Sequence, residues 1–389
     1  MNTRTATAAS SLRVEEITTL DRFEALASPW DDLCRRALEC HPMLTHAWLC
    51  AWWKAFSNDD LRCSVLLVWE GELLVGAAPI TLRRERAFGK MRRIVSLFAN
   101  AWVDRAHVLL ARDSADIVDA LLTHLESHVR FEILDLFPLD ASSPQTALLL
   151  ERVRRRGWKV GVDAHLQSPY LRLPDTWEHL LEGLSSSFRQ TVRRKIRKVE
   201  SMPEVTMKIV KDESCIEPIV TISRESWQHE EGTSMASSEQ ILTFYTTIIK
   251  AAARDGTLRC ALMEVGGEPA AFEFNLVHRN TLHNFKLGFR KRFSELSTGI
   301  VLKSYALQQL MDGGSDSHIT EYDFMGTAEP YKLNWSKSVR SHNRYYIFAR
   351  QWHALLAHWL AFRVKPWLQA RAPGVAASLK TLKNRLAQR

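Results

Sequence analysis

Apolar residues in this chain follow two periods, and the switches between them mark out its elements. Trp30, Leu33 and Ala37 share one helical face, and residues 45–56 form a second helical segment rich in tryptophan (Trp48, Trp52, Trp53). Residues 61–69 are a β-branched apolar run. Glu70-Gly71-Glu72 breaks it, and a second run returns over 73–82, which predicts a β-hairpin. Strands are predicted at 93–98 and 108–110, and a helix at 117–129. A strand carrying Asp135 follows at 131–137, and then a helix over 143–156 that Gly157 closes.

The same order then recurs. Residues 258–265 are a strand, Gly266-Gly267 a turn, and 268–277 the return strand. Arg279-Asn280 marks the next turn before a strand at 282–287. A helix over 298–311 and a strand over 319–324 carrying Asp323 complete the set. Both hairpins open with Leu-Arg-Cys, at 61–63 and 258–260. Two copies of hairpin, strand, helix and strand predict a duplicated α/β unit. Between the copies, Trp177, Leu180, Leu181 and Leu184 form one helical face. Ser185-Ser186-Ser187 offers an N-cap to a second helix. Its stripe of Phe188, Val192, Ile196 and Val199 is surrounded by Arg189, Arg193, Arg194, Lys195, Arg197 and Lys198. Further helices are predicted at 217–231 and 238–253.

The chain has 389 residues, 46% hydrophobic and 25% charged, which is ordinary globular composition and length for two or three domains. It holds no apolar run of about 18 residues, so no transmembrane helix is expected. Residues 1–16 lack the apolar core of a secretory signal, and 1–11 read as a disordered lead-in. The six cysteines form no C-x-x-C pair and have no zinc spacing. They read as buried thiols of a reducing cytosol, and no metal is expected. The net charge of +8 is uneven: no Asp or Glu follows Glu329, while 12 Lys and Arg do. Such a distribution argues against a uniformly basic DNA-binding protein.

Three stretches together resemble the GCN5-related N-acetyltransferase superfamily. More narrowly, they resemble its cellulose-biosynthesis-associated (BioF2-like) family, related to the Fem aminoacyltransferases. They are Ser168-Pro169-Tyr170-Leu171-Arg172-Leu173-Pro174 with the basic helix after it; the second hairpin and strand with Ser297-Thr298-Gly299; and Tyr322-Asp323-Phe324-Met325-Gly326 followed by Glu329-Pro330-Tyr331-Lys332 and Trp335. The tryptophan-rich helix and the first hairpin, with Gly76 and Pro79, fit the family's first half, so the likeness spans about residues 20–350. It implies an α/β (α+β) fold of tandem acetyltransferase-like domains, each a mixed, mostly antiparallel sheet flanked by helices. The expected division is a lead-in at 1–11, a first domain at 12–165, a catalytic domain at 166–350 and a basic amphipathic tail at 351–389. The implied activity is acyl transfer from acetyl-CoA or another acyl-CoA to an amine or hydroxyl. The acceptor would be a sugar or lipid-linked intermediate of surface (exopolysaccharide) biosynthesis. Two other readings stand beside it: Fem-like aminoacyl transfer from aminoacyl-tRNA, and a non-catalytic regulator binding an anionic ligand such as a cyclic dinucleotide.

Acyl transfer from a CoA thioester needs a pyrophosphate cradle and a route for a proton. A helix start offers unpaired N–H groups to an anion. Arg290, Lys291, Arg292, Ser297, Thr298 and Gly299 are the candidate cradle, although the loop has fewer glycines than is usual in the superfamily. Asp323 at a strand end and Glu273 within a strand are the candidate bases, with His283 as a third. Glu273 fits equally the exposed face of an antiparallel sheet. Tyr331 is a candidate proton donor to the leaving thiolate. Asn275, Lys332 and Arg193 are candidate substrate contacts. The basic helix fits an anionic ligand or a plain solvated face. In the tail, Trp352, Leu355, Leu356, Trp359 and Leu360 repeat at helical spacing among cations. This stripe fits a helix lying on an anionic membrane, or one packed on the body. A cytoplasmic protein, peripheral at the inner membrane face, is the corresponding localisation.

Overall fold

The computed structural model describes residues 12–312, 316–364 and Trp367. The expected lead-in at 1–11 and most of the tail lie outside the described residues. The first half opens with β1 (Leu12–Ile17), α1 (Leu20–Glu24), α2 (Ala27–Arg36) and α3 (His46–Phe56), the last capped by the Thr45 hydroxyl. The hairpin β2 (Leu61–Glu70) and β3 (Leu73–Ala87) follows, then β4 (Lys90–Leu97) and the short β5 (Leu109–Leu110). After α4 (Ala115–His124) come β6 (Ile133–Asp140), α5 (Pro144–Arg155) and β7 (Lys159–Arg172). Gly157 ends α5 with φ +73, as its place after the helix predicts.

The second half begins with α6 (Trp177–Gly183), α7 (Ser186–Glu200) and β8 (Val205–Val210). Next are α8 (Ile216–Arg224), α9 (Trp227–Glu230) and α10 (Glu239–Arg254). The single helix expected over 217–231 is thus two, parted at Glu225-Ser226. Then β9 (Leu258–Val265), β10 (Glu268–His278), β11 (Thr281–Phe289) and α11 (Thr298–Met311) lead to β12 (Glu321–Asp323). The described chain closes with α12 (Pro330–Leu333), β13 (Val339–Phe348) and α13 (Trp352–Trp359).

The thirteen strands of the described residues join one sheet, in the order β1-β2-β3-β4-β6-β13-β7-β12-β11-β10-β9-β8, with β5 beside β3. The predicted duplication is visible in this order. Each arm is four antiparallel strands plus a fifth parallel to the fourth: β1 to β4 with β6, and β8 to β11 with β12. The halves are interlocked. β7 follows the first arm in sequence but pairs through Tyr170–Arg172 with β12 of the second. β13 follows the second arm but pairs with β6 of the first, and the two crossing strands pair with each other over ten residues of β13. The expected boundary at 165/166 falls inside β7.

Helices cover both faces. On one, α3 of the first half packs on α10 of the second in a single apolar cluster. Trp48 lies 5.4 Å edge-on to Phe244 and 4.9 Å from Phe285. On the other, α4 and α5 cover the first arm, and α7 and α11 cover the second. All six cysteines are free thiols, four of them buried.

Gly76 shows how closely α4 approaches β3. A Cβ there would lie 2.4 Å from Cγ2 of Ile117. We expect Gly76→Ala to cost about 1–3 kcal/mol in denaturant unfolding, because the helix must move off the sheet. Gly183 meets nothing within 4 Å. Gly183→Ala should leave stability unchanged or raise it by up to about 1 kcal/mol.

Candidate active site

The parallel strands β11 and β12 stay together for three pairs only, Thr281–Glu321, Leu282–Tyr322 and His283–Asp323. Beyond them β12 ends, and the chain turns through Met325 and Gly326, both at positive φ. β11 continues to Phe289, so its edge past His283 has no strand on that side. A parted pair of parallel strands is where an open α/β sheet exposes backbone groups and strand-end side chains to a ligand. The candidate residues group around this opening.

Asp323 is fully buried. Its carboxylate accepts from Nη2 of Arg105 at 3.0 and 3.2 Å and from the N–H of Met325 at 2.8 Å. Arg105 comes from the first half, in the loop after β4, and also donates to Oγ of Ser168 on β7 at 2.7 Å. Burial works to raise the pKa of Asp323, but Arg105, His283, the Met325 N–H and Arg340 outweigh it and hold the group below 3.8. His283 lies 3.9 Å away through Nδ1, which has no hydrogen-bond partner among the described residues. Burial lowers its pKa to about 3 against the pull of Asp323. The imidazole is therefore neutral over the physiological range and not poised near pH 7.

Glu273 is also fully buried, because α11 covers the face of β10 that carries it. Its carboxylate meets Nζ of Lys303 at 2.7 Å and accepts from the Tyr322 hydroxyl at 3.2 Å. Lys303 Nζ donates to that hydroxyl in turn. Burial lowers the Lys303 pKa against the pull of Glu273, and burial beside Glu273 raises that of Tyr322. The exposed-face reading of Glu273 is thus wrong. Asn275, buried nearby, accepts from Asn284 at 2.8 Å and donates to the Glu273 carbonyl. Tyr331 sits half-exposed on α12. Burial, Glu329 and Glu273 raise its pKa, so it stays protonated at neutral pH. Lys332 is buried and committed: its Nζ donates to the carbonyls of Met325 at 2.8 Å and Thr327 at 3.2 Å and pairs with Glu329 at 2.7 Å. It pins the turn after β12.

The three cations expected to face pyrophosphate are all paired. Arg290 is buried, with both Nε and Nη2 at 2.7 Å from Glu225 and Nη1 at 3.2 Å from Glu268. Arg292 pairs with Glu268 and Lys291 with Glu230. The helix start itself is open. Ser297 adopts φ 52 and makes no side-chain cap, Thr298 is buried, and Gly299 is exposed with nothing within 4 Å of its Cβ position. Arg193 is not brought to this region: it pairs with Glu178 on the outer side of α7 at 2.8 Å. Among the described residues no cluster of His, Cys, Asp and Glu could hold a metal ion.

Four residues at the opening were not singled out from the sequence: Arg105, Lys303, Lys286 and Trp102. Lys286 lies on the free edge of β11, with Nζ 4.6 Å from the Trp102 ring centroid of the first half. Burial lowers its pKa. Lys303 did carry a signal, since it is the one charged residue of α11, with the spacing that faces β10.

Residues 186–333 match the family model of the acetyltransferase (GNAT) domain. No curated protein matches the chain significantly. Among solved structures, FemX superposes with a TM-score of 0.58 at 10% identity, over 88% of this chain and 100% of its own. A conserved protein of unknown function from Bacteroides thetaiotaomicron gives 0.51 at 12% identity, over 87% and 100% of the two chains. The C-terminal domain of a putative lysylphosphatidylglycerol synthetase from Agrobacterium fabrum gives 0.50 at 11% identity, over 87% and 95%. At such identities the likeness is one of fold. Residues 186–333 thus match a GNAT domain, and the chain as a whole has the overall fold of FemX.

Two expectations arise from the buried charges. Glu273→Gln leaves Lys303 without its anion and should cost about 3–5 kcal/mol in chemical denaturation. Glu273→Gln combined with Lys303→Met should recover most of that loss. His283 and His342 have folded pKa values of about 3 and 4 against 6.5 for the free side chain. The unfolded chain therefore binds more protons between pH 6.5 and 4, and stability should fall as pH drops through that window. A melting series across it should show the decline, with a shallower slope for His283→Asn.

Proposed function

We propose that the chain transfers an acyl group from acyl-CoA, with acetyl-CoA the simplest donor, to an amine or hydroxyl on a sugar or lipid-linked intermediate of surface polysaccharide synthesis. The observation that carries the reading is the free edge of β11. It runs from the parted strands at His283 and Asp323 to Phe289, and the chain then turns into the open start of α11. An extended thioester arm laid along this edge pairs its amides with the backbone as an added strand would. Its reactive end then lies at the opening, and its phosphates lie near the first turn of α11. The GNAT domain match supports the donor class. The acceptor class rests on the sequence resemblance alone.

In this reading the acceptor nitrogen or oxygen attacks the thioester carbonyl, a C–N or C–O bond forms, and the C–S bond breaks. The acceptor loses one proton and the thiolate gains one. Tyr331, protonated and half-exposed, delivers its phenol proton to sulfur, and the proton released by the acceptor returns through water to the Tyr331 phenolate. Burial, with Glu329 and Glu273 coupled electrostatically to Tyr331, raises its pKa and so keeps the phenol protonated until the thiolate forms. Asp323 and Arg105 are positioning residues that fix β12 against the first half. Positioning and proton transfer suffice for such direct transfer.

Tyr331→Phe should lower acyl transfer about 100-fold with an unchanged melting temperature. The check is thiol release from a panel of acyl-CoAs with sugar acceptors, in the absence of RNA. Wild-type turnover in the variant would remove Tyr331 from the mechanism. The rival reading, transfer from aminoacyl-tRNA, draws on the exposed Arg194 and Arg197 of α7. Activity that appears only with charged tRNA would favour it.

A further inference from the structure

Helix α13 packs on the body through its small residues and turns its large ones outward. Ala354 and Ala357 are buried with Ile94, Ile133 and Phe348, and Phe362 in the following turn closes over Gly161. Trp352, Leu356, Trp359 and Leu360 are 72%, 46%, 54% and 47% exposed. Their spacing of four, three and one puts them on one side of the helix. The sequence left open whether this stripe packs on the body or faces outward. The helix does pack, but through the opposite face, so four large apolar side chains form one exposed strip.

The strip has a basic setting. Lys90, Lys159 and Arg363 are exposed on the side of the sheet that carries α13. Of the carboxylates there, Asp135 and Glu85 are paired with Arg344 and Arg83, and Glu132 with Arg92 and His353; Asp163 also lies on this side. The sequence that continues from α13 holds Lys365, Arg371, Lys380, Lys383, Arg385 and Arg389, with no Asp or Glu. No helix among the described residues is long and apolar enough to cross a membrane. Tryptophan and leucine on one side of a surface helix, ringed by cations, suit the boundary between lipid headgroups and acyl chains.

We propose that this face docks on an anionic phospholipid bilayer. In the docked state α13 lies in the headgroup layer, Trp352, Leu356, Trp359 and Leu360 point toward the acyl chains, and the cations meet lipid phosphates. A second copy of the chain suits the strip less well, because the cations around it would face each other. Docking needs none of the residues assigned to acyl transfer, so the two readings stand or fall separately.

The test is co-sedimentation of the full chain with vesicles. Phosphatidylcholine mixed with phosphatidylglycerol should pellet it at low salt. Pure phosphatidylcholine should not, and high salt should release it. Trp352→Ser with Trp359→Ser should weaken binding about tenfold or more, with an unchanged melting temperature because both side chains are exposed. Absence of pelleting with the anionic vesicles, equal binding to both lipids, or undiminished binding by the double variant would each overturn the proposal. Lipid-free self-association that the double variant abolishes would assign the strip to a second copy instead.

Discussion

The exchange of β7 and β13 between the two arms is the constraint on which the rest of the molecule depends. Each arm lacks a strand that only the other can provide, so neither half completes its sheet alone. The crossing strands also carry the polar groups that join the halves. Ser168 on β7 and Arg340 on β13 flank Asp323, and Arg344 on β13 clasps Asp135. Arg105 reaches across from the first half to complete the set. Removing either strand would strip backbone hydrogen bonds, and removing β13 would also take Arg344 from the buried Asp135, which costs far more than the pair contributes on its own.

Within this arrangement the two arms part their parallel strands differently. Both arms contain a parallel pair of three rungs, with an aspartate at the third, Asp135 in one and Asp323 in the other. In the first arm β4 ends at Leu97, one residue past the pair, and β6 runs on to Asp140 against β13. In the second arm the pair parts at His283 and Asp323, and β11 keeps a free edge. The same pairing thus leaves the fifth strand running on in the first arm and the fourth in the second. The difference lies in the segments packed around each parallel pair, not in the pair itself.

Much of the fold was legible because its elements are amphipathic or apolar at a clear period. Both hairpins, the β4 and β6 strands, the tryptophan-rich α3 and the bounds of α11 follow from apolar spacing. β7 and β13 were not read as strands. Their sequences mix Gly, Ser, His, Asn and Arg with apolar residues, because they line a charged seam rather than an oil-like layer. The candidate site was legible in part for the same reason. Asp323 and Tyr331 stand out at the end of an apolar strand and just after it. The pairing of Arg290, Lys291 and Arg292 with Glu225, Glu268 and Glu230 joins residues far apart in sequence and has no local signature.

The sequence by itself determined the duplicated order of elements, the superfamily likeness and the acid-free, cationic end of the chain. Each of these is carried by local periodicity, motif or composition. Only the tertiary structure decided which strands cross between the halves, which carboxylate meets which cation, and which face of α13 looks outward. Those depend on contacts between separate segments, in some cases more than 200 residues apart, such as Arg105 with Asp323 and Arg92 with His353. Their energies come from burial and charge pairing that no single stretch of sequence contains.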